Sequence, residues 1–246
     1  MAVCADNGPG GEDKPSSRNR LALTVFLLCL VAVFLALGSW QVQRLFWKLD
    51  LIARVETRIH TDPVPAPSGA IDPAEDEYRR VTAKGLFDHA KSVLVQAVTE
   101  RGAGFWVVTP LQQTDGSTIL VNRGFVRADK RSPEARLASE LAAGPVSVTG
   151  LLRLSEPGGA FLRANDPAGD RWFSRDVAAI AAAKELANVE PYFIDADATP
   201  NMGGLPIGGL TVVTFRNSHL VYALTWYALA VMSAGAVYLV LRRRAF

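Results

Sequence analysis

The chain has 246 residues, 49% of them hydrophobic, and 26 Lys and Arg against 24 Asp and Glu give a net charge of +2. A charge that small, spread along the chain, lacks the basic patch that a nucleic-acid binder needs. Two cysteines, in no CxxC or CxxxC spacing, and three methionines exclude a disulfide framework and a thiolate or thioether copper site.

Residues 1–20 are rich in Gly, Pro, Ser and mixed charge and predict a disordered tail. Asp6, Glu12 and Asp13 argue against a mitochondrial presequence, which avoids acids, and so point to a bacterial source. Residues 21–40 read as a first membrane-spanning helix, with Cys29, Ala32 and Ala36 as a small-residue stripe for helix packing. From Gln41 the apolar residues Leu45, Leu49, Ile52, Val55 and Ile59 keep helical period, so an amphipathic stalk is expected over 41–61. Asp62-Pro63-Val64-Pro65-Ala66-Pro67 ends it as an extended linker.

From Tyr78 the period changes to that of strands, expected at 78–81, 92–98, 105–112, 117–122, 146–154, 192–195 and 210–216. Asp115-Gly116 predicts a two-residue hairpin. Ser132-Pro133-Glu134 opens a helix that Gly144 closes, and Ser174-Arg175-Asp176 opens a second before Pro191. The domain over 62–218 is therefore expected to be α+β, mostly antiparallel and β-rich, as a curled sheet or partial barrel.

The stretch HLVYALTWYALAVMSAGAVYLVL, residues 219–241, is a second spanning helix of about twenty apolar residues, enough for a core of roughly 30 Å. One stripe collects His219, Tyr222, Ala223, Trp226, Ala230, Ser233, Ala234 and Val237. Arg242-Arg243-Arg244 follow it in a basic tail, 242–246, and Arg216 alone stands close before it. Positive charge marks the cytoplasmic side, so both termini are expected there and 41–218 on the outer side of a lipid bilayer.

No HExxH, GxSxG or P-loop occurs, and no protein-borne catalytic cluster is evident. His219, at the outer mouth of a spanning helix, has two readings. It is an interfacial histidine bonded to water or headgroups, or an axial ligand to haem iron with Tyr222 and Trp226 packed on the porphyrin. Arg44 likewise is a snorkelling cation in an aromatic belt, or the partner of an anionic group such as a propionate.

Eight segments occur in a telling order: GSWQVQRLFWK at 38–48, YRRVTAKGLFD at 78–88, GAGFWVVTPL at 102–111, DGSTILVNRGFV at 115–126, GLLRLSEP at 150–157, NDPAGDRWFSRD at 165–176, YFID at 192–195 and RNSHLVYALTWYALA at 216–230. By them the chain resembles the surfeit locus protein 1 family of assembly factors for haem-copper cytochrome c oxidase. Phe125 stands where the family usually has Trp after an Asn-Arg-Gly turn. The resemblance implies a non-enzymatic role in the bacterial cell membrane, helping oxidase subunit I receive haem a together with other assembly factors. It implies His219 as the haem ligand. The alternative is a haem-free scaffold holding an oxidase subunit, with Trp40, Gln41, Trp47, Trp106 and Arg123 as partner-binding residues.

Overall fold

The structure, a computed structural model, describes residues 17–140, 144–160, 163–211, 213, 215 and 217–242. The expected disorder of the N-terminal tail falls mostly on residues 1–16, outside the described ones, as do Arg216, Arg243 and Arg244. The chain divides into two compact units, a helical one up to Ile52 and from Phe215, and a β-rich one over Ala53–Thr214.

In the helical unit, α1 (Ser17–His60) is one unbroken helix whose later part runs on into the β-rich unit. No Pro or Gly interrupts the run from the apolar segment into the amphipathic one except Gly38, so nothing stops the helix at residue 40. The second helix (His219–Arg242) is long and apolar enough to cross a membrane, and so is the first. Two such helices near the ends of the chain therefore flank a β-rich domain in sequence.

Among the described residues the β-rich unit has seven strands, β1 (Val64–Pro65), β2 (Arg80–Phe87), β3 (Val93–Thr99), β4 (Gly102–Gln113), β5 (Thr118–Arg127), β6 (Val146–Leu154) and β7 (Val189–Ala196). Their order is β1-β2-β6-β7-β5-β4-β3, and β2 also pairs with β4 through Phe87 and Leu111. That last pairing closes β2, β6, β7, β5 and β4 into a five-stranded barrel. Closure leaves no free edge within those five strands, while β1 and β3 remain as edge strands attached to β2 and β4. Most pairings are antiparallel; β5–β7 and β1–β2 are parallel.

Alternation along the strands sorts side chains between the inside and outside of the barrel. Val81, Ala83, Leu111, Ile119, Val121, Leu152, Tyr192 and Ile194 form one buried cluster with members from all five barrel strands. Only the interior can gather them. Val93, Val95, Val108, Leu120 and Phe193 form a second cluster outside, covered by Trp172 and the short helix Val177–Ala183. β5 is buried on both faces from Thr118 to Val126, with Asn122 and Arg123 the polar exceptions among mostly apolar residues.

Several local expectations change. The segment after α1 is more than a linker: Val64 and Pro65 pair with Val81 and Thr82 as an edge strand, a position that tolerates proline. The hairpin at Asp115-Gly116 is longer than two residues. Gln113 N–H donates to Ser117 O at 2.8 Å, and Gly116 takes the left-handed position with φ 85°. No turn follows Asn122, because β5 continues to Arg127. Gly124 has φ 135° and lies against the Ile207 backbone, so the glycine serves a close approach inside a strand. The helix expected from Ser132 is a 3₁₀ turn, Pro133–Arg136, then one α turn, Leu137–Glu140, and residues 141–143 lie outside the described ones. Asp176 caps the helix Val177–Ala183 by accepting from Ala179 N–H at 3.1 Å, but the helix ends well before Pro191, which lies within β7. In the strand expected at 210–216, the described residues 210, 211, 213 and 215 are not in a strand, while 212, 214 and 216 lie outside the described ones.

Candidate functional site

In the helical unit, α1 and the second apolar helix, Phe34 to Trp226 and Gln41 to His219, run antiparallel. The covered residues of α1 include Thr24, Leu27, Val31, Phe34, Gly38, Gln41 and Leu45. Those of the second helix include His219, Ala223, Trp226, Ala230, Ser233 and Val237. Both series alternate steps of three and four, the spacing of a left-handed seam. The stripe read from the second helix thus holds, apart from Tyr222 and Ala234, which are exposed. The stripe Cys29, Ala32, Ala36 does not hold: all three are exposed. Close approach is made instead at Gly38, where a Cβ would sit 2.8 Å from the Tyr227 ring.

His219 is half-buried at the start of its helix. Its Nδ1 lies 2.7 Å from Gln41 Oε1. A carbonyl oxygen only accepts, so Nδ1 is the donor in this pair and Nε2 is the ring nitrogen left outside it. This is the arrangement of a metal-binding imidazole, whose second nitrogen is held by an acceptor that fixes tautomer and ring orientation. The sequence singles out both residues without pairing them. Heptad spacing along α1, which puts Gln41 on the seam with Phe34 and Gly38, was the signal available.

The neighbours expected around His219 are placed unevenly. Trp226 is on the seam, its ring stacked on Phe34 at 5.7 Å between centroids, so that face is taken. Tyr222 is 53% exposed, off the seam. Arg44 lies over the Trp47 ring at 4.7 Å, with the guanidinium otherwise on an exposed part of α1. Trp40 and Trp47 are exposed and, seven residues apart, share one face of the helix.

In the β-rich unit, Trp106 is half-buried, edge-on to Phe125 at 5.8 Å, and packs against the outer core cluster. Arg123 is buried in β5, with 4% exposure. Its guanidinium donates to His89 Nδ1 at 3.1 Å, Ser139 O at 3.2 Å and Asn201 Oδ1 at 3.3 Å, and stacks over Phe87 at 4.9 Å. Burial pushes its pKa down to about 10. The His89 pKa is lowered too, first by burial and then by the Arg123 charge, so its ring is neutral at neutral pH.

A second polar centre was not anticipated. Asp195, with 1% exposure, accepts from Arg175 at 2.8 Å, Arg153 at 3.2 Å and Asn122 at 2.7 Å. Arg175 also bonds Glu156 at 2.6 Å. Every member has an oppositely charged or amide partner, so this network locks β5, β6 and β7 to the segment around Arg175.

The SURF1 family model matches residues 28–231. The chain is 42% identical to human surfeit locus protein 1 over 87% of this chain and 75% of that one. It is 41% identical to the mouse protein of the same name, over 83% of this chain and 71% of the other. A SURF1-like protein of Drosophila melanogaster is 36% identical over 83% of this chain and 73% of its own.

Proposed function

The chain belongs to the SURF1 family, and from that premise we propose that it is a membrane-anchored assembly factor that holds haem a for insertion into subunit I of a haem-copper cytochrome c oxidase. The observation that carries the reading is the His219–Gln41 pair. An imidazole whose Nδ1 proton is engaged at 2.7 Å presents Nε2 ready to coordinate iron. Bound haem would supply the redox-active iron, and His219 would supply the oriented imidazole that holds it. Arg44 is the cation available for a propionate, and Tyr222, unpacked by protein, is an aromatic available for the ring. Trp226 gives less than expected, because Phe34 occupies one of its faces.

In this reading α1 and the second helix cross the bacterial cell membrane, with both termini cytoplasmic and the barrel outside. The apolar length of both helices and the arginines at 242–244 support that topology. His219 then sits at the outer membrane surface.

A haem-free scaffold that holds oxidase subunits is the second reading. Trp40, Phe46 and Trp47, exposed by 51%, 66% and 49%, favour it, since large aromatics are the usual anchors of a protein interface. The haem content of protein purified from cells that make haem a separates the two. The carrier reading predicts haem in the wild type and none in a folded His219→Ala variant. Haem absent from both, with oxidase subunits still co-purifying, would establish the scaffold.

A further inference from the structure

Within the β-rich unit, a cavity of about 590 Å³ opens at the end of the barrel where β6 begins and β2 and β7 finish. It exists because the β6–β7 register stops at Gly150 and Ala196, leaving Val146–Val148 without β7 partners. Leu86, Val146, Val148 and Met202 contribute apolar lining, and the polar lining includes Arg123, His89 and Asn201 together with two carboxylates, Glu140 and Asp197. The volume lies in the range of small-molecule sites, roughly 300–1,000 Å³.

Arg123 is the anomaly. The barrel has other well-covered arginines, and each has a carboxylate: Arg136 pairs with Glu140, Arg153 with Asp195, and Arg175 with Glu156 and Asp195. Arg123 has none within salt-bridge distance among the described residues, and Glu140, whose charge acts on it, is paired with Arg136. Its partners are a neutral histidine, a backbone carbonyl and an amide oxygen, and its Nε, like that of Arg153, is buried with no hydrogen-bond partner. A buried charge without a counter-ion, carrying an unused donor, is costly to keep. His89 accepts the Arg123 proton at Nδ1, so its own proton is on Nε2 and it is a donor as well.

We propose that this cavity binds a small amphipathic monocarboxylate, its head paired with Arg123 and its apolar body against Leu86, Val146 and Val148. Glu140 and Asp197 are balanced by Arg136 and Arg80, so Arg123 leaves one net positive charge, which a single carboxylate matches, with the His89 Nε2 proton as a second donor; a doubly charged phosphate would leave charge unbalanced. The site is independent of His219 and of the haem reading.

The test is equilibrium dialysis of labelled octanoate against the full chain in a nonionic detergent, with octanol as the neutral control. The signal is the saturable excess over Ser147→Trp protein in the same micelles. Ser147 is an exposed lining residue, so tryptophan there blocks the cavity without disturbing the core. One saturable octanoate site is expected, with octanol at least about tenfold weaker, as for loss of a charge-assisted pair. Arg123→Gln should remove it; should that variant fail to fold, Ser147→Trp decides alone. No saturable excess, or octanol binding as tightly as octanoate, would overturn the proposal.

Discussion

Replacing Asp195 by Asn removes one charge from the most buried polar centre of the barrel and keeps its shape. The carboxylate is 1% exposed and neutralises Arg175 and Arg153 together. Breaking a buried pair by removing one partner costs roughly 3–5 kcal/mol. Here the lower end applies. Arg175 keeps Glu156 at 2.6 Å, and Arg153 keeps its stacking over Tyr78 at 4.7 Å. An asparagine can also still accept from Asn122. A loss of about 3 kcal/mol at roughly 2–4 °C per kcal/mol for a domain of this size lowers Tm by roughly 6–12 °C. Thermal unfolding followed by circular dichroism measures it. Asp129→Asn, which breaks the exposed Arg127–Asp129 pair, serves as control and should leave Tm unchanged. A drop for Asp195→Asn no larger than that of the control would refute the view that this network holds the strands together.

Three further outcomes are expected. Gly38→Leu should separate the two helices, since even a Cβ meets the Tyr227 ring at 2.8 Å; with Cys4 and Cys29 changed to Ser, crosslinking between cysteines placed at Phe34 and Trp226 should fall to background. Gly124→Ala should destabilise the barrel by at least about 2 kcal/mol in denaturant unfolding, because φ 135° is strained for alanine and its Cβ would lie 2.3 Å from the Ile207 backbone. Although burial alone would raise the Glu156 pKa, the hydrogen bonds and charge of Arg175 outweigh it and hold the carboxyl below its usual range. A depressed carboxylate contributes its stability above the unfolded value of about 4.3 and loses it as pH falls through the folded value. Glu156→Gln should therefore flatten the acid limb of a Tm–pH curve.

The stripe on the second helix was legible because Ala223, Ala230 and Val237 repeat at helical spacing in a segment without charge. The matching face of α1 was not. Small residues at Cys29, Ala32 and Ala36 suggested close packing, yet a small residue is equally at home facing lipid, and the seam runs through the larger Thr24 and Phe34. Strand positions followed from alternation, with β6 found residue for residue at 146–154. Barrel closure could not follow from alternation, since it depends on the Phe87–Leu111 pairing between strands distant in sequence. Arg123 and Asn122 in an Asn-Arg-Gly run looked like a turn, because glycine at positive φ is commonest there. Gly124 instead admits the Ile207 chain, which carries Arg123 into the interior. His219 was identified by residue type and place. Its hydrogen bond to Gln41 joins residues 178 positions apart, beyond any local pattern.

The carrier reading is tested most directly by titrating haem a into the purified protein and following the Soret band for the wild type, His219→Ala and Gln41→Leu. The account predicts saturable binding to the wild type, none to His219→Ala, and about tenfold weaker binding or more to Gln41→Leu, the usual cost of losing the acceptor behind a ligating histidine. Binding by a folded His219→Ala protein with wild-type affinity would contradict it.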